Sequence, residues 1–181
     1  IIKTGENMSI KKGDKLPSAN FMTMGPDGPE PLDTETLFSG KRVALFAVPG
    51  AFTPTCSAKH LPGYKSLVSE FKEKGIDTIA CTSVNDVFVM DAWGKDQGLK
   101  GEIILLADGN GSFAKAVGLE LDGSGFGMGS RSQRYAMVIN DSVVENVFVE
   151  KGGEFKVSAA DYLLENLFPI RFGSSFGQLL Q

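Results

Sequence analysis

Cysteine, histidine and tryptophan are scarce in this chain: two, one and one in 181 residues. Two thiols, Cys56 and Cys81, are too few for a secreted disulfide scaffold. A chain of this length buries enough surface to fold without such staples. One histidine with two cysteines falls short of the four ligands of a structural zinc site, so no metal is expected. Basic residues do not dominate: 18 Lys and Arg stand against 22 Asp and Glu, for a net charge of −4. Nothing basic is concentrated enough to track phosphates, so nucleic acid is not an expected partner. No apolar run approaches the roughly 20 residues of a membrane-spanning helix, and no membrane partner is expected. The first residues, IIKTGENMSIKKGD, lack the apolar core of a secretory signal. Free thiols fit a reducing compartment, so the expected location is the cytoplasm. Mitochondrion or plastid is the alternative if residues 1–7, which precede Met8, are a presequence remnant rather than a cloning leftover.

What is present alternates between two periods. Val43–Val48 is an unbroken apolar run, as expected of a strand buried on both faces. Ala19–Met24, Ile76–Ser83, Glu102–Ala107, Tyr135–Ile139 and Val143–Val149 also read as strands, the last two joined by Asn140–Asp141–Ser142. Helical spacing covers Cys56–Lys74, with a kink expected at Pro62 and a stop at Gly75. Asp33–Phe38, Asp86–Gln97 and Ser112–Val117 read as further helices. A last helix is expected to open at a capping box of Ser158 and Asp161 and to run to about Phe168. Gly25–Pro31 reads as a turn, and Leu121–Ser130 as a flexible glycine-rich loop outside the strand–helix context of a phosphate site. The order predicts one α/β domain with a mixed sheet.

Chemistry concentrates in Val43–Cys56, VALFAVPGAFTPTC. It puts Cys56 where a strand hands over to a helix N-terminus. Unpaired N–H groups and the helix dipole favour a thiolate there, and the thiolate is the reactive form. The dipole contributes about 0.3–1 kcal/mol, and one unit of pKa is about 1.36 kcal/mol. A helix end alone is therefore a weak activator, and a cation or several hydrogen bonds must complete the effect. Thr53 can aim its hydroxyl at the same space or serve as an N-cap. Pro49 and Pro54 would shape a rigid rim. Arg131 and Arg134 precede a strand and could supply the cation, although spacing alone favours two solvated side chains. His60, four residues after Cys56, could be its base or a metal ligand, but a hydrogen-bonding structural role is the simpler expectation. Cys81 reads as a core residue, with a resolving thiol as the functional alternative. Trp93 reads as core or interface.

The segments VPGAFTPTCSAKHLPGY, ACTSVNDVFVMDAWGK, LLADGNGSFAKAVGL and RYAMVIND together resemble a peroxiredoxin of the type II, peroxiredoxin-5-like branch. The resemblance spans about Lys11–Phe168. It implies a thioredoxin-like fold, a central mixed sheet flanked by helices with an N-terminal extension, over residues 8–169. Residues 1–7 and 170–181 fall outside, and RFGSSFGQLLQ at the end extends beyond the family pattern. It also implies a thiol-dependent peroxidase that reduces hydrogen peroxide and alkyl hydroperoxides in antioxidant defence, with no cofactor. Cys56 falls on the peroxidatic cysteine, and Pro49 and Thr53 on the P-x-x-x-T-x-x-C motif. Arg134 falls on the family's arginine, which reverses its surface reading. Phe52, His60 and Arg131 are expected around the pocket. The implied cycle takes Cys56 to a sulfenic acid and recycles it by glutathione and glutaredoxin or by thioredoxin. No cysteine follows Glu150, so a C-terminal resolving thiol is missing, while Cys81 matches one that some plant members use. A homodimer is implied, with Phe52, Trp93 and the Phe126 loop as expected contacts.

Overall fold

A computed structural model describes residues 8–169. The expectations for 1–7 and 170–181 lie outside the described residues. The chain runs β1 (Asn20–Gly25), β2 (Gly28–Asp33), α1 (Thr34–Phe38) and β3 (Arg42–Ala47), then a helix beginning at Pro54. That helix is π-helical over Cys56–His60 and continues as α2 (Leu61–Ser66), followed by α3 (Val68–Glu73). Then come β4 (Thr78–Ser83), α4 (Val87–Asp96), β5 (Ile104–Ala107) and α5 (Ser112–Ala116). A hairpin of β6 (Glu120–Asp122) and β7 (Ser130–Ser132) precedes β8 (Tyr135–Asn140), β9 (Val143–Val149) and α6 (Ala160–Glu165).

Seven strands form one sheet in the order β2-β1-β5-β4-β3-β8-β9. β3, β4 and β5 run parallel, and β1, β8 and β9 add antiparallel pairings. All six residues of β3 are buried, as its unbroken apolar run predicts. Alternate β3 side chains enter opposite layers. Ala44 and Phe46 pack with Leu61, Tyr64, Phe71 and Trp93, whereas Val43 and Leu45 pack with Phe38, Phe113 and the N-terminal Ile10 and Leu16. This is the thioredoxin-like arrangement, with helices on both faces. The N-terminal extension is pinned at Ile10, whose N–H donates to Val117 O, and at Leu16, whose N–H donates to Ser142 O.

The stops follow local chemistry. Asp33 caps α1 through Thr36 N–H, and Asp86 caps α4 through Val89 N–H. Gly75, at φ 87°, ends α3 with Ile76 N–H on Phe71 O and Gly75 N–H on Lys72 O, a Schellman pair. Asp141 and Ser142 both take positive φ in the tight β8–β9 turn.

Pro62 sits in the first turn of α2, directly after the π turn over Cys56–His60. The π turn closes with Leu61 N–H on Cys56 O, and α2 ends at Leu67, at φ −110°. Three expectations change. Residues 28–33 form a strand despite Pro29 and Pro31, because β2 is a sheet edge where a missing N–H is tolerated. The glycine-rich stretch is not all loop, since Glu120–Asp122 pairs with Ser130–Ser132 across it. The Ser158–Asp161 capping box does not form: Ala159 is the N-cap of α6, the helix stops at Glu165, and the Ser158 hydroxyl is buried with no partner.

Candidate active site

The strand–helix junction after β3 is built by a tight turn. The Thr53 hydroxyl donates to Gly50 O at 2.7 Å, and Phe52 inside the turn sits at φ 64°. A non-glycine residue held there costs on the order of 1–3 kcal/mol and needs outside support. Asn85 supplies it: its Oδ1 accepts from Ala51 N–H at 2.9 Å and from the Ser83 hydroxyl at 2.6 Å. Pro54 then starts the helix, where its missing N–H costs nothing, and the Thr53 carbonyl accepts from Ser57 N–H at 3.0 Å. Cys56 lies in this first turn, fully buried.

Tertiary structure brings Arg134 to the sulfur. Arg134 lies just before β8, which pairs with β3. Its Nη2 donates to Cys56 Sγ at 3.1 Å, and its Nη1 contacts His60 Nδ1 at 2.9 Å. A guanidinium keeps all its protons, so Nδ1 is the acceptor. The other ring nitrogen, Nε2, donates to Ser158 O at 3.0 Å. His60 is therefore neutral, and burial first, then the Arg134 charge, pushes its pKa down to about 3. Neither ring nitrogen is free to act as a base toward Cys56, which removes the cysteine–histidine hydrolase geometry.

The remaining candidates divide. Pro49 and Thr55 line a hollow of about 230 Å³ beside Arg134, with Leu121, Gln133 and the 150–154 turn opposite. Arg131 is tied down elsewhere, donating to Met128 O at 2.8 Å and Val84 O at 3.1 Å, with its Nη1 close to Gly50. Phe52 is half exposed at the rim. Cys81 points into the same apolar layer as Cys56 but lies mid-strand, and burial, then the Cys56 charge, pushes its thiol pKa well up. Trp93 is fully buried and donates to the Ser57 hydroxyl at 3.0 Å, which rules it out as a surface contact. Asn85, Ser158 and Glu150 escape sequence reasoning. Asn85 acts through contacts to Ala51 and Ser83 that no local pattern announces, and a backbone carbonyl carries no sequence signal. Among the described residues, no group of three or more His, Cys, Asp or Glu gathers to hold a metal, and no helix is long and apolar enough to cross a membrane.

A thioredoxin-like sheet presenting one buried thiol to a guanidinium defines a thiol-based redox enzyme. The Redoxin family model matches residues 11–164. The chain is 48% identical over 163 residues to Peroxiredoxin-2E, chloroplastic, of Arabidopsis thaliana, covering 88% of this chain and 70% of the relative. It is 45% identical over 159 residues to Peroxiredoxin-2B of the same plant, covering 87% and 98%. The structure of reduced Prx3 in complex with H2O2 from Vibrio vulnificus superposes with a TM-score of 0.83 at 52% identity, covering 86% and 98%. The chain belongs to the peroxiredoxin family, in its type II, peroxiredoxin-5-like branch, and is a thiol peroxidase.

Proposed function

We propose that Cys56 is the peroxidatic thiol and that Arg134 and Thr53 hold the peroxide against it. The carrying observation is the Arg134 Nη2 contact to Cys56 Sγ at 3.1 Å. A fixed guanidinium there is oriented before reaction, needs no reorganisation, and stabilises negative charge as it shifts to the leaving oxygen. The Thr53 hydroxyl spends its proton on Gly50 O, so it meets a substrate as an acceptor. A hydroperoxide can donate its O–H to Thr53 while its oxygens face Arg134. The hollow beside Pro49 and Arg134 supports entry of a small peroxide.

The sulfur lone pair attacks the terminal peroxide oxygen, forming the S–O bond as the O–O bond breaks. The leaving oxygen departs with the electron pair, stabilised by the guanidinium, and takes a proton to become water or alcohol. Cys56 is left as a sulfenic acid. An external thiol then attacks it, releasing water and leaving a mixed disulfide. A second thiol restores Cys56 and carries off the disulfide. Burial of Cys81 in β4, with its thiol held protonated, supports an external reductant, glutathione with glutaredoxin or thioredoxin, over internal resolution. Exposed Phe52, Phe88 and Phe126 support the expected homodimer. Two plant relatives are named chloroplastic, which favours the organellar alternative over the cytoplasm.

Peroxide turnover by wild type, Cys56→Ser and Cys81→Ser, with glutathione, glutaredoxin and thioredoxin compared as donors, tests this reading. Cys56→Ser should abolish turnover and Cys81→Ser should keep it. Loss confined to Cys81→Ser would overturn it.

A further inference from the structure

Two carboxylates are buried among the described residues, Asp108 and Glu150. Asp108 has a local task, accepting from the Phe113 and Ala114 N–H groups at the start of α5. Glu150 stands behind the thiol site, at the end of β9. Its N–H donates to Arg134 O at 2.9 Å. No ion pair to it is formed among the described residues. Its carboxylate instead accepts from the backbone N–H groups of Lys156, at 2.9 and 2.8 Å, Val157 and Ser158. Three consecutive peptide groups are thus fixed by one side chain.

These peptide groups position the Ser158 carbonyl and the Phe155 ring against His60. The Ser158 carbonyl receives both His60 Nε2 and the Tyr64 hydroxyl, at 3.0 and 2.8 Å. The Phe155 ring, in the same segment, packs edge-on against His60 with centroids 5.0 Å apart and lies 5.9 Å from the Arg134 guanidinium. A carbonyl has no proton to give, so the Ser158 oxygen forces the proton of the neutral ring onto Nε2. Only then does Nδ1 offer Arg134 Nη1 a lone pair. Were the 156–158 backbone to relax, the ring could turn or change tautomer, and one arm of the guanidinium fork would lose its acceptor.

We propose that Glu150 is a positioning residue for Arg134, acting through the 156–158 backbone, the Ser158 carbonyl and His60. The inference rests on the Cys56–Arg134 reading for its effect on rate, but its structural half can be read independently. Nitrogen-15 spectra of the single histidine report its tautomer directly, and stopped-flow peroxide reduction and Cys56 alkylation at pH 7 report the site. Wild-type His60 should show the Nε2–H form. Glu150→Ala should lower the peroxide rate roughly 10-fold, the scale of one lost hydrogen bond to a charged group, and should perturb the tautomer signal. Glu150→Gln, which keeps one acceptor oxygen, should fall between. In a His60→Phe background, Glu150→Ala should cause no further fall.

An Nδ1–H wild-type tautomer would overturn the proposal. So would a folded Glu150→Ala with unchanged rate and spectrum, or an equal fall in both backgrounds, which marks a purely structural anchor. If Glu150→Ala does not fold, the wild-type tautomer and the Glu150→Gln rate decide. Absence of wild-type peroxide turnover would instead sink the parent reading and leave the tautomer result standing.

Discussion

His60 is the chain's single histidine, so one titration can be separated from all others in the stability of the protein. Burial and the neighbouring Arg134 charge lower its folded pKa from 6.5 to about 3. Between these values the unfolded chain binds a proton that the folded chain does not, so stability rises with pH across the window. The contribution is complete above about pH 6.5 and is lost progressively as pH falls toward about 3. At about 1.36 kcal/mol per unit, the loss between pH 7 and pH 4.5 is about 2.5 kcal/mol. The perturbation is His60→Asn, whose amide does not titrate. The space left by the smaller side chain costs the same at each pH, and the carboxylates common to both proteins cancel. Urea unfolding under reducing conditions at the two pH values should show wild type losing about 2.5 kcal/mol more than the variant. Equal losses would mean that the ring is not held neutral, and the hydrogen-bond assignment at Nδ1 and Nε2 would fail with it.

Two further outcomes are expected. Arg134→Lys keeps the charge but not the fork that reaches Cys56 Sγ and His60 Nδ1 together, so peroxide reduction in stopped flow should fall roughly 100-fold with the fold intact. An undiminished rate would show that charge alone suffices. Gly118→Ala places a Cβ 2.9 Å from Ser9 Cα at a residue with φ +71°, so it should destabilise by at least about 1 kcal/mol and lower the melting temperature by a few degrees. A melting point unchanged within a degree would show that the N-terminal segment yields freely.

Where sequence reading missed, nonlocal contacts had overruled local rules. Pro29 and Pro31 spoil a strand by propensity, yet β2 lies at the sheet edge, and nothing local to GPDGPEP says so. Ser158 and Asp161 match a capping box, but the Ser158 N–H and C=O are already committed to Glu150 and to His60 with Tyr64. Trp93 could have lain on either side of the surface until α4 packed its face into the apolar layer.

The sequence alone determined the elements whose periodicity is strong, the strand–helix junction that carries Cys56 and Thr53, and, by resemblance, the family. Those signals are local: an apolar run, a turn with proline and a helix start lie within fourteen consecutive residues. The residues by themselves left open which cation meets the sulfur; the family resemblance pointed to Arg134, and tertiary structure supplies the physical reason. Arg131 and Arg134 look alike in sequence and differ in partners, because antiparallel pairing of β8 with β3 delivers Arg134 to Cys56 while Arg131 closes on Val84 and Met128. Tertiary structure decided the tautomer of His60, since the carbonyl that sets it comes from a segment 98 residues away. Charge and hydrogen bonding act over a few ångströms in space, and separation along the chain does not predict that distance.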